Sequence, residues 1–98
     1  MPVRSGTVAA NIGLHARPAA LFVRAVTETG LPIVIRRSGS TAGVDARSLL
    51  EVMTADFDHG CKVDLVIDDQ ALEGDAALER AEAALERLVK LLESQNGA

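Results

Sequence analysis

Between Gly74 and Leu92 the apolar residues Leu78, Ala81, Leu85, Leu88 and Leu92 recur at alternating spacings of three and four. That spacing puts them on one face of a helix, and a helix with such a stripe has to lay it against something. A second stripe, Ala19, Phe22, Val23 and Val26, runs from Pro18 to Thr29 and predicts another one-sided helix, with Pro18 in its first turn and Gly30 as its stop. The partner for both is visible downstream. Cys61, Val63, Leu65 and Ile67 alternate with Lys62, Asp64, Val66 and Asp68, which is the pattern of a half-buried strand. Two one-sided helices and a one-sided strand point to a sheet covered on a single face.

The remaining segments complete the order. Val3 to Ala10 mixes β-branched and small residues and reads as a strand, followed by a turn at Asn11-Ile12-Gly13. Leu31 to Arg37 is a second strand that turns at Ser38-Gly39-Ser40 into a short third one around Thr41 to Asp45. Ser48 to Thr54 predicts one or two helical turns, ended at Asp58-His59-Gly60. Asp75 is the expected N-cap of the last helix, Glu86 and Lys90 are an i,i+4 pair on it, and residues 94–98 are expected to fray. The expected fold is therefore α/β (α+β): an open-faced β-sandwich in the order β-α-β-β-α-β-α. Its four-stranded, mostly antiparallel sheet is covered on one face by helices, and residues 1–98 form a single domain.

Several function classes are excluded by composition. One cysteine, Cys61, forbids an internal disulfide, and with two distant histidines it makes a structural metal site improbable; Cys61 is expected as a small core residue. No apolar run approaches the roughly 20 residues of a membrane span, and the first residues have no signal-peptide core, so a cytoplasmic protein is expected. Residues 1–50 carry six basic and two acidic side chains, and residues 51–98 carry four and twelve. Anionic ligands or partners should therefore meet the first half. Nucleic acid is disfavoured by a net charge of −4 and by two Phe with no Trp or Tyr.

Against this background Gly13-Leu14-His15-Ala16-Arg17-Pro18 stands out. His15 lies between a glycine turn and a helix start, beside backbone N–H groups that lack helical partners. Such a terminus receives anions, and Arg17 adds a planar cationic fork suited to phosphate oxygens. An imidazole, a guanidinium and a helix N-terminus together meet the needs of a phosphohistidine: the ring nitrogen attacks phosphorus and the donors hold the equatorial oxygens. A histidine here can equally be an ordinary surface residue at a helix end. His59, in an Asp-His-Gly turn without such neighbours, reads as surface only.

The run from Gly13 through Pro18, continued by Ala19 and Ala20, resembles the active-centre signature of the HPr family, the histidine-containing phosphocarriers of the bacterial phosphoenolpyruvate:sugar phosphotransferase system. Arg47-Ser48-Leu49-Leu50-Glu51-Val52-Met53-Thr54, closing at Gly60, is similar to that family's second signature, around a regulatory serine. The resemblance implies that His15 accepts a phosphoryl group on Nδ1 from phosphorylated Enzyme I and passes it to a sugar-specific EIIA, and that Arg17 assists. Ala16, Arg17 and Pro18 would hold the phosphate and fix the helix start. Ser48 corresponds to the serine phosphorylated by an ATP-dependent kinase in some members, so a serine kinase/phosphorylase or a transcriptional regulator joins the implied partners. Ala20, Arg24, Arg47, Leu49, Leu50 and Met53 fall on the family's docking face. The implied protein is a monomeric carrier without turnover of its own, and without metal, organic cofactor or membrane insertion. Asp56 departs from the pattern, standing where many members have glycine.

Two alternatives stay open at this stage: a paralogous carrier in a nitrogen-related or other phosphorelay, and a regulatory domain that binds a small molecule without covalent chemistry.

Overall fold

A computed structural model describes residues 2–68, 70 and 72–95. The elements follow the expected order: β1 (Val3–Thr7), α1 (Ala16–Thr29), β2 (Ile33–Arg37), β3 (Gly43–Asp45), α2 (Leu49–Thr54), β4 (Lys62–Ile67) and α3 (Gly74–Ser94). The strands form one sheet in the order β1-β4-β2-β3, and every pairing in it is antiparallel.

The register explains the two faces. Leu65 and Ile35 lie in one row, with Val63, Ile33 and Ile67 on the same side, and all five are fully buried beneath the helices. Phe22 and Val26 of α1, Leu85, Leu88 and Leu92 of α3, and Val52 of α2 close the core from above. Helix α3 lies over β1 so closely that a Cβ on Gly6 would come within 2.9 Å of Val89 Cγ1. The other sheet face is open. On it Val66 is flanked by Val3 and Val34, and this pairing buries Val66 although its place in the alternation pointed to solvent. One row further, Asp64 Oδ1 accepts hydrogen bonds from the Ser5 and Ser38 hydroxyls at 2.7 and 2.8 Å. Arg36 Nε stands 3.6 Å from its other oxygen, an ion pair too long to be a hydrogen bond.

Several boundaries differ from expectation. Strand β1 ends at Thr7, because Val8 leaves the ladder to pair with the turn before β4: its N–H donates to Cys61 O at 2.9 Å and its carbonyl accepts from Gly60 N at 2.7 Å. Helix α1 begins two residues before Pro18, which leaves the proline in a first turn where its missing N–H costs nothing. It ends at Gly30, whose φ of 70° lets the N–H turn back to Thr27 O. Asp75 is not the cap of α3; Glu73 holds that position without a side-chain hydrogen bond, and Asp75 lies in the first turn. Leu78 at the start of the stripe remains partly exposed while Ala84 joins the buried face. The expected Glu86–Lys90 pair forms at 3.6 Å.

The expected fraying is also corrected in part. Ser94 closes α3, and Gln95 is buried with its Nε2 donating to Pro18 O at 3.0 Å, tying the end of α3 to the start of α1. Residues 96–98 lie outside the described part.

Candidate functional site

His15 is the N-cap of α1, extended at φ −131° and ψ 160°, and its side chain makes no capping bond. The chain on both sides of it is anchored. Leu14 is fully buried, and Pro18 and Ala19 are buried in the first turn of the helix. Leu14 N–H donates to Phe57 O at 2.8 Å, which joins the loop before α1 to the loop after α2. Gly13, at φ 75°, passes so close to that second loop that a Cβ would lie 2.6 Å from Phe57 O. Ala16 follows His15 at φ 49°, a left-handed conformation uncommon for alanine, and turns the chain into the helix.

The imidazole is therefore held from its backbone and is 34% exposed. Its Nε2 lies 2.8 Å from Asp56 Oδ1, whose side chain is 66% exposed. Asp56 is itself at φ 59°, a conformation that aspartate tolerates better than most residues. Arg37 fixes the loop beneath: Nη2 donates to Asp56 O at 2.6 Å and Nη1 to Ala55 O at 3.3 Å, and the guanidinium lies 5.3 Å from the Phe57 ring centre.

Arg17 sits exposed in the first turn of α1, without a hydrogen bond or ion pair among the described residues. Because Pro18 has no N–H and Ala19 N–H bonds His15 O at 3.5 Å, the N–H groups of Ala16 and Arg17 are the two that this helix start offers an anion. His59 is exposed in its turn, as expected.

Ser48 caps α2, its Oγ accepting from Glu51 N at 3.2 Å. Helices α1 and α2 pack side by side, and both leave apolar side chains in solvent: Leu49, Leu50 at 77% exposure, and Leu21, which the sequence reading missed. Ala20 and Arg24 are exposed on α1. Met53 is half-buried against the core. Arg47 is exposed but bound to Asp45 at 3.0 Å, so its charge is shared with a neighbour. That guanidinium pulls the Asp45 carboxyl below the usual carboxylate range, and the carboxylate raises Arg47 in return. Cys61 lies just outside β4, packed on the core, and burial pushes its thiol up.

Among the described residues one group has metal-ligand character. His15, Asp56 and Asp58 bring one ligand atom each within 4.8 Å of one another. The hydrogen bond between His15 and Asp56 accounts for the approach of those two, and exposed acidic groups such as Asp58 commonly gather without an ion.

A family model described as "PTS HPr component phosphorylation site" matches residues 3–94. The chain belongs to the HPr family. A phosphocarrier protein HPr of Streptomyces coelicolor is 44% identical over 80 residues, which cover 82% of this chain and 75% of that protein. Among solved structures, HPr-C-His from Thermoanaerobacter tengcongensis superposes with a TM-score of 0.69 at 29% identity, covering 95% of this chain and 96% of that one. The phosphocarrier protein HPr from Bacillus anthracis does so with a TM-score of 0.65 at 30% identity, covering 90% and 95%. The open-faced sandwich expected from the stripes is thus the HPr fold, and the general role is that of a phosphocarrier of the phosphotransferase system. No helix among the described residues is long and apolar enough to cross a membrane.

Proposed function

We propose that this chain relays a phosphoryl group on His15, taking it from phosphorylated Enzyme I and giving it to an EIIA in phosphoenolpyruvate-dependent sugar uptake in the cytoplasm. The observation that carries this reading is the setting of His15. It heads a fourteen-residue helix with its side chain free of capping, half-exposed, and next to the unbonded N–H groups of Ala16 and Arg17. The ring can therefore meet a phosphoryl donor without local unfolding, and the same site can meet an acceptor afterwards. The Arg17 guanidinium, which has no hydrogen bond or ion pair to give up among the described residues, closes on the equatorial oxygens as charge gathers there. Partial exposure also suits a carrier, whose bound group must leave as readily as it arrives.

Docking belongs to the adjacent surfaces of α1 and α2. Leu49, Leu50 and Ala20 supply a small apolar patch, Met53 backs it, and Arg17 and Arg24 supply positive charge for an acidic partner. Ser48 at the head of α2 is a regulatory position for a serine kinase, because a phosphate there would sit directly beside Leu49 and Leu50. Incubation with phosphoenolpyruvate and Enzyme I, followed by mass spectrometry, tests the reading. A gain of one phosphoryl group, labile to acid, stable to base and absent from His15→Ala, is expected. A competent Enzyme I that transfers nothing would make the chain a binding domain instead.

A further inference from the structure

The Asp56 carboxylate meets Nε2 of His15, the ring nitrogen opposite the one read above as the phosphoryl acceptor. We propose that Asp56 is the positioning residue of the phosphoryl-accepting histidine: it holds the proton on Nε2 and keeps the lone pair of Nδ1 aimed at the donor. The inference rests on the reading of His15 Nδ1 as the acceptor.

A carboxylate only accepts hydrogen bonds, so the 2.8 Å contact requires His15 Nε2 to be the donor. The neutral ring then carries its lone pair on Nδ1, the state a nucleophile needs. Both ends of the contact are built into the fold rather than left to two mobile side chains. On one side the backbone of Leu14 is bonded to Phe57 O, and on the other the carbonyls of Ala55 and Asp56 are held by Arg37. The positive φ of Asp56 is what turns its side chain from α2 toward the imidazole.

The transfer step balances around this proton. The Nδ1 lone pair forms the new N–P bond while the donor's own bond to phosphorus breaks, and the electron pair of that bond returns to the donor atom. The Nε2 proton stays in place throughout. Positive charge therefore develops on a ring whose N–H already faces a carboxylate, much as an orienting acid serves a catalytic histidine or a metal-binding one. An exposed pair of this kind contributes little to stability, so its effect falls on the transfer step.

Asp56→Gly removes the carboxylate and keeps the backbone, since glycine adopts a φ near 59° without strain. Asp56→Asn keeps an acceptor oxygen and also tolerates that conformation. Two readouts are needed, single-turnover phosphorylation by Enzyme I and imidazole ¹⁵N NMR of the unphosphorylated protein. Wild type should show a protonated Nε2 and a bare Nδ1. Asp56→Gly should remain folded, draw the two nitrogen shifts toward each other, and lose about tenfold in transfer rate with docking affinity kept. Asp56→Asn should restore the nitrogen pattern and part of the rate. A wild type phosphorylated on His15, with an Asp56→Gly variant equally fast and unchanged in its ring spectrum, overturns this inference alone. A wild type that takes no phosphoryl group on His15 overturns the carrier reading and this inference with it.

Discussion

Replacing Gly13 with alanine probes the contact that builds the site. Two costs follow from its geometry. The first is conformational: at φ 75° alanine occupies the left-handed region, which costs an L residue about 1–2 kcal/mol. The second is steric. The new methyl would lie 2.6 Å from Phe57 O and 3.1 Å from Asp58 Cα, both backbone atoms that cannot rotate away, so one loop must shift at about 1–3 kcal/mol. Gly39 isolates the first cost, because it has φ 87° and nothing within 4 Å of its Cβ position. Urea unfolding of both variants at pH 7 should therefore show Gly39→Ala down by about 1–2 kcal/mol and Gly13→Ala down by about 2–5 kcal/mol. The same loop shift moves His15 relative to Asp56, so phosphoryl acceptance should slow in Gly13→Ala and stay normal in Gly39→Ala. Equal destabilisation of the two variants would refute the close approach of the loops, and with it the account of how His15 is held.

Asp64 gives a pH dependence with a definite sign. Hydrogen bonds from Ser5 and Ser38, and then the Arg36 charge, hold its carboxyl below 3.8, so its stabilising effect is complete at neutral pH and lost as pH falls through that lowered value. Asp64→Ala should cost about 1–2 kcal/mol at pH 7, and chemical denaturation should show the gap from wild type closing below about pH 4; a gap independent of pH would remove the charge from the explanation. Ser48→Ala should cost about 1 kcal/mol by uncapping α2, whereas Ser48→Asp should keep or slightly raise the melting temperature and slow transfer from Enzyme I; a normal rate would take Ser48 off the docking face. Arg17→Lys should change stability by less than about 0.5 kcal/mol, as Arg17 is exposed and has no hydrogen bond or ion pair among the described residues to lose. It should also slow phosphoryl acceptance about tenfold, since an ammonium is a point charge in place of a fork; an unchanged rate would make Arg17 a bystander.

The fold could be read from the chain because its main elements are one-sided. Leu85, Leu88 and Leu92 on α3, and Val63, Leu65 and Ile67 on β4, are buried as their spacing requires. Local chemistry also located His15 at a helix start and Ser48 at another. What escaped were contacts between distant segments. Asp56 meets His15 across 41 positions, and nothing in its neighbours says which way the left-handed turn will point it. Gln95, read as part of a frayed end, reaches Pro18 across 77 positions. Arg37 was one more cation of the basic half until the fold set it over Phe57 and under the loop of Asp56. Arg47 was grouped with the docking cations, although Asp45 two residues earlier was a visible partner for it.

The central claim is that His15 carries the phosphoryl group on the nitrogen turned away from Asp56. The most direct measurement is NMR of protein labelled with ¹⁵N in its histidines and phosphorylated by Enzyme I with phosphoenolpyruvate. Phosphorus coupling is expected at Nδ1 of His15, with Nε2 still bearing its proton and His59 unmodified. Phosphorus on Nε2 of His15, or on His59, would contradict it.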